Sequence, residues 1–106
     1  MTNSYTFNSS TRYMTRGVSD SIPLEIQIII WSKVDDLVKS NITTDYLQVF
    51  TIEVGDKIII THTQEQPEYK KIHEYTLKEA YRDLDNVKIY VIDDRTHSTM
   101  LLASEY

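Results

Sequence analysis

A chain of 106 residues with a formal charge of −5 and no Cys has room for one domain with its own core, and it excludes several chemistries at once. Without Cys there are no disulfides, no thiolate metal sites and no Cys nucleophile, in keeping with a reducing cytoplasm. Only two glycines are present, which rules out P-loop and dinucleotide-binding glycine motifs.

The acidity is unevenly placed. Residues 1–34 carry Arg12, Arg16 and Lys33 against Asp20 and Glu25, a net of +1, so the remainder carries −6. No basic stripe with interleaved aromatics exists, and duplex nucleic acid is not an expected ligand. No apolar run approaches the ~18 residues of a membrane span, and MTNSYTFNSS lacks the apolar core of a signal peptide. The expectation is a cytoplasmic protein with no membrane association.

In chain order, residues 1–10 are polar with two aromatics and read as a flexible or loosely docked arm. The domain is expected over residues 11–106. Thr11–Arg16 alternates as a short edge strand does, and Gly17 breaks it. Residues 21–40, SIPLEIQIIIWSKVDDLVKS, predict the one long helix. Pro23 suits the first helical position, Glu25 complements the positive helix end, and Ile26, Ile30, Val34 and Leu37 recur at helical spacing. Trp31 and Val38 widen that stripe. Ile28 and Ile29 extend it further, predicting burial on more than one side or cover by the arm.

Asp45–Val54 predicts a central strand, apolar on both faces, with Gln48 as a structural hydrogen-bonding group on the Tyr46/Phe50 face. Gly55-Asp56 is a two-residue hairpin signal, and Lys57–Thr63 returns with Ile58, Ile60 and His62 on one face. Gln64–Tyr69 reads as an exposed loop, and Lys70–Thr76 as a lysine-guarded edge strand. Thr76-Leu77-Lys78-Glu79 matches a capping box and predicts a short second helix ended by Asp85-Asn86. Val87–Ile92 and Ser98–Ala103 form a second hairpin around Asp93–Thr96. The fold class is therefore α+β: an antiparallel sheet of about five strands, one long helix packed on it, and a short second helix.

Polar groups concentrate in HTQEQPEY, residues 62–69, and DDRTH, residues 93–97. His62, Glu65, Glu68, Asp93, Asp94 and His97 are the residue types for a metal or an acid/base pair. The plainer account is that charged residues belong in turns, and that paired Asp residues bond turn backbone. Neither H-E-x-x-H nor any other ordered zinc motif is present. No catalytic residue, metal or cofactor is assigned. Arg12 and Arg16, the only arginines of the first half, read more simply as solvated strand ends or as partners for acidic groups.

Four blocks carry a resemblance: TRYMTRGV with the following IPLEIQ, then DYLQVF, then HTQEQPEYKK, then VIDDRTHSTMLLASEY. Together they run from residue 11 to 106, and they resemble an uncharacterised family of small proteins from Gram-positive bacteria, the domain of unknown function DUF960. The resemblance implies occurrence in chromosomes and on mobile elements. It brings no activity with it, and it directs attention to Arg12, Arg16, Gln64, Glu65, Pro67, Glu68 and Tyr69 as exposed polar positions. With His62, Asp93, Asp94 and His97 these make the candidate interaction face.

The leading expectation is a non-enzymatic module that binds a protein partner. Two rivals stand beside it: a small divalent-metal hydrolase or nuclease, and an acidic DNA mimic that inhibits a host nucleic-acid enzyme. Homo-oligomerisation through the Tyr-rich edge strand is a further reading.

Overall fold

The computed structural model describes residues 4–106. Arg12–Met14 forms β1, Arg16–Ser21 α1, Leu24–Lys39 α2, Leu47–Val54 β2, Lys57–Gln64 β3, Tyr69–Thr76 β4, Val87–Asp93 β5 and Ser98–Leu102 β6. Short 3₁₀ turns occupy Glu79–Tyr81 and Ala103–Glu105. The strands make one six-stranded sheet in the order β1-β6-β5-β2-β3-β4.

This is the expected α+β class with two corrections. The sheet has six strands rather than about five, and it is mixed rather than antiparallel. β1 pairs parallel with β6, Arg12 opposite Ser98 and Met14 opposite Met100. Two bonds bracket that pairing: Ser98 N–H to Thr11 O at 2.9 Å and Thr15 N–H to Met100 O at 3.0 Å. A three-residue strand whose partner lies some eighty positions away gives no local signal of its direction.

The helix expected over residues 21–40 is α2, Leu24–Lys39, and a short helix the sequence did not predict, α1, precedes it and ends at Ser21 before Pro23. A residue before proline is pushed out of the helical region, and Ile22 sits at φ −110°, ψ 121°. Pro23 itself is the residue before the first turn of α2, at ψ 144°, not its first helical residue. Gly17, expected as a breaker, lies inside α1, whose cap is Thr15: its hydroxyl accepts from Val18 N–H at 3.3 Å. In α2 the stripe Ile26, Ile30, Val34 and Leu37 is buried as the periodicity predicts, and Trp31 and Val38 pack beside it. Ile28 is 58% exposed, so the helix is buried on one side only.

Alternate strand residues complete the core under α2: Phe50 and Ile52 of β2, Ile58 and Ile60 of β3, Ile89 and Val91 of β5, Met100 of β6. β2 is central as expected, but covered on one face. On the far face Leu47, Val49, Thr51, Ile59, Thr61, Thr63, Tyr90, Ile92 and Thr99 stay half-exposed. The β2–β3 turn falls at Gly55-Asp56 as expected, but Val54 lies opposite Ile58 and Ile52 opposite Ile60, one residue off the register of a two-residue link, and Gly55 does not take the positive φ of a type I′ or II′ turn. β4 is an edge strand as its lysines predict.

The second helix is a correction. Thr76 ends β4, paired with Lys57, and no helical turn begins until Glu79, whose N-cap is Lys78 without a side-chain bond. Beyond it the chain makes one 3₁₀ turn, Glu79–Tyr81, held by the buried Tyr81 side chain. Of the arm expected over residues 1–10, residues 1–3 lie outside the described residues. Phe7 departs from the expectation of loose docking: its side chain is fully buried in the core. Among the described residues no helix is long and apolar enough to cross a membrane.

Candidate functional site at the polar end of the sheet

The two polar segments lie at one end of the sheet. β3 and β5 both run antiparallel to β2, so both finish beside its start. The turn Glu65–Glu68 leads from β3 into β4, and the turn Asp94–His97 leads from β5 into β6. They do not meet. The start of β2 lies between them, and three strand spacings amount to ~14 Å. Asp93 N–H donates to Tyr46 O at 3.0 Å, which ties the second turn to that intervening segment.

Under the first turn lies a chain of buried amides. Gln48, His62 and Gln64 all face α2, and none is more than 4% exposed. Gln48 Oε1 lies 2.6 Å from His62 Nε2. An amide oxygen can only accept, so the Nε2–H tautomer is the one that fits. Gln48 Nε2 donates to Gln64 Oε1 at 2.8 Å and to Asp45 O at 2.9 Å. Gln64 Oε1 also accepts from Asp45 N–H at 2.9 Å, and its Nε2 donates to the carbonyls of Thr43 and Pro67, both at 2.9 Å. One side chain therefore binds the connector 43–45 to the turn. Asp45 adds a second tie, its Oδ2 accepting from Gln66 N–H at 3.2 Å.

The His62 ring stacks on Phe50 at 4.2 Å, with Tyr69 edge-on at 5.2 Å. Burial, with His73 and Lys33 nearby, lowers its pKa to about 4. A neutral, fully buried imidazole bonded to an amide is part of the scaffold, not an acid/base group open to substrate. This corrects the expectation for His62 and Gln64 as members of an exposed face. Tyr69 is half-buried; Glu65, Pro67 and Glu68 are exposed.

The second turn is built the same way. Asp93 is 5% exposed, against expectation, and accepts from Phe7 N–H at 2.9 Å and Arg95 N–H at 2.8 Å. Asp94 Oδ1 gathers the Thr96 hydroxyl at 2.7 Å and the N–H groups of Thr96 and His97, each at 2.9 Å. Those bonds pull the Asp94 pKa down to about 2. His97 lies 3.4 Å from Asp94 Oδ2, with Tyr13 against its ring at 5.5 Å. Arg12 is committed as well. It pairs with Asp35, donates to Phe7 O at 2.8 Å and 3.2 Å, and lies 4.6 Å over Trp31. Arg16 stays exposed as the first residue of α1.

Glu65, Glu68, Asp93, Asp94 and His97 thus do not converge. Among the described residues no three His, Asp or Glu side chains come together as a metal site. What the end of the sheet does hold is a cleft of about 320 Å³ lined by Asp45, Tyr46, Leu47, Val49, Glu65 and Gln66, among others. Its floor is apolar and its rim carries two carboxylates. The sequence marks Asp45 only as the start of a strand; its role depends on Gln64, nineteen positions on.

The matching family is described as a staphylococcal protein of unknown function (DUF960), and its model covers residues 11–105. The chain belongs to the DUF960 family. A crystal structure of a protein of unknown function from Enterococcus faecalis is similar to this member of the family. It is 25% identical, with a TM-score of 0.77 over 96% of each chain. No curated protein matches.

Proposed function

We propose that this DUF960 protein is a non-enzymatic binding module that holds a protein partner at the polar end of its sheet. The observation that carries the reading is Gln64. Buried, it spends both ends of its amide on fastening Thr43, Asp45, Gln48 and Pro67 to one another, the segments that form the Asp45–Gln66 cleft. A surface ordered before it meets its partner loses less entropy on binding. Leu47 and Val49 offer an apolar floor for an anchoring side chain, and Asp45, Glu65 and Glu68 favour a basic surround. The Cys-free sequence fits the cytoplasm, and family membership fits a bacterial host chromosome or mobile element.

The test is capture from a Gram-positive lysate with wild type and with Val49→Lys, Glu65→Lys/Glu68→Lys and Asp36→Lys/Glu74→Lys variants, followed by titration of the captured partner. Loss of the partner in the first two and retention in the third supports the reading. Equal retention in all three removes this end of the sheet as the binding face. A steep loss of affinity with salt for every acidic variant alike favours the DNA-mimic reading instead.

A further inference from the structure

A second, larger groove of about 1040 Å³ opens at the opposite end of the sheet. Its walls are the α1–α2 joint, the segment after the Glu79–Tyr81 turn, and the ends of β1, β5 and β6. Met14, Leu24, Leu84, Val87 and Leu102 give it an apolar lining, and Met14 and Leu24 stand 45% and 66% exposed. Among the described residues, the only charged ones that line it are Asp20, Asp83 and Asp85; no Lys or Arg does. None of these three carboxylates has an ion-pair partner among the described residues.

Gln27 supplies the independent observation. It lines the groove at 5% exposure. Its Nε2 is committed to Ile22 O at 2.8 Å, while its buried Oε1 has no partner among the described residues. A buried acceptor left unpaired is uncommon and calls for a donor. The free N–H groups at the start of α2 favour an anion, but Glu25 stands in that first turn, and three carboxylates outweigh a helix end of about half a charge.

We infer that this groove is a docking site for a basic peptide segment of a partner protein, one that alternates Arg or Lys with apolar residues. The cationic groups face Asp20, Asp83 and Asp85, the apolar side chains lie along Leu84, Val87 and Leu102, and an N–H donor meets Gln27 Oε1. A groove of about 1040 Å³ holds several side chains, which favours a peptide over a lone cation. The inference stands apart from the partner proposed at the other end of the sheet and uses none of its residues.

The test is fluorescence anisotropy of a labelled Leu-Arg-Leu-Arg-Leu peptide titrated with the full chain at low salt. Asp83→Asn/Asp85→Asn is expected to weaken binding at least tenfold. Asp36→Asn/Glu74→Gln removes the same charge from exposed residues that line neither this groove nor the Asp45–Gln66 cleft, and is expected to change it less than twofold. Gln27→Met is expected to weaken it several-fold, with circular dichroism showing each variant folded. No binding by wild type, or equal weakening by both charge pairs, overturns the inference. Full competition by spermine, with the same dependence on Asp83 and Asp85, also overturns it, by assigning the groove to small polyamines.

Discussion

Gln48 and Gln64 are joined amide to amide inside the sheet, Nε2 of the first donating to Oε1 of the second at 2.8 Å. Removing one of them strands the groups it served. Gln64→Ala leaves Asp45 N–H and Gln48 Nε2 without their shared acceptor, and the carbonyls of Thr43 and Pro67 without a donor. Urea denaturation is expected to show a loss of about 2–4 kcal/mol, since buried orphans cost more than the bonds themselves contribute. Gln64→Glu, which keeps the acceptor and loses the donor, falls between that variant and wild type.

His62 makes stability depend on acid. Its pKa is lowered from 6.5 to about 4 in the fold, chiefly by burial. Between those values the unfolded chain binds the proton and the native chain does not. Stability contributed by this residue is therefore complete above about pH 6.5, falls as pH drops toward 4, and is lost below that. The total is on the order of 3 kcal/mol at most, at 1.36 kcal/mol per unit. His62→Phe keeps a ring on Phe50 but leaves Gln48 Oε1 unpaired. It is expected to be less stable than wild type at pH 7, by about 1–3 kcal/mol, and to show a flatter acid limb. Urea midpoints at pH 7, 5 and 4 check both parts.

Arg12 joins three segments: it pairs with Asp35 of α2, covers Trp31 and donates to the Phe7 carbonyl. Asp35 is 40% exposed, so the ion pair itself counts for little. The stacking and the carbonyl bonds contribute more, and Arg12→Ala is expected to cost about 1–3 kcal/mol. Arg12→Lys recovers only part of this, because an ammonium lacks the planar fork. Trp31 is the only Trp of the chain, so its emission reports loss of the covering guanidinium directly.

Gly17 lies against the Glu105 side chain. A Cβ there would come within 2.5 Å of Glu105 Oε2. That carboxylate is held by the Thr15 hydroxyl at 2.7 Å and Leu102 N–H at 2.8 Å, bonds that lower its pKa. In a Glu105→Ala background, Gly17→Ala should stabilise the protein by up to about 1 kcal/mol through helix propensity. In the wild-type background that gain should vanish or reverse. Thermal melts of the four proteins give the coupling.

Much of this was legible in residues 21–40, 45–64 and 87–92. Hydrophobic period set the buried face of α2, alternation set the faces of β2, β3 and β5, and Gly55-Asp56 placed the β2–β3 turn, though not its register. Gln48 was legible too, since an amide on an apolar strand face needs a partner. Gln64 and Asp93 were not: their side chains look like loop polarity until the connector 43–45 and the arm at Phe7 are seen to lie against them. The capping box at Thr76 misled for a related reason: β4 runs on through Thr76, and the chain turns only at Glu79, three residues later.

Local chemistry by itself determined the class: periodicity and turn residues act over a few positions, and they chose helix or strand for most of the chain. Tertiary structure decided what distance along the chain conceals. It set the parallel β1–β6 edge, the burial of Phe7, and the short α1 before Pro23 with a groove at its joint with α2. It also decided which polar side chains are scaffold and which are surface, because hydrogen-bond partners are found in space, and a sequence orders residues only along the backbone.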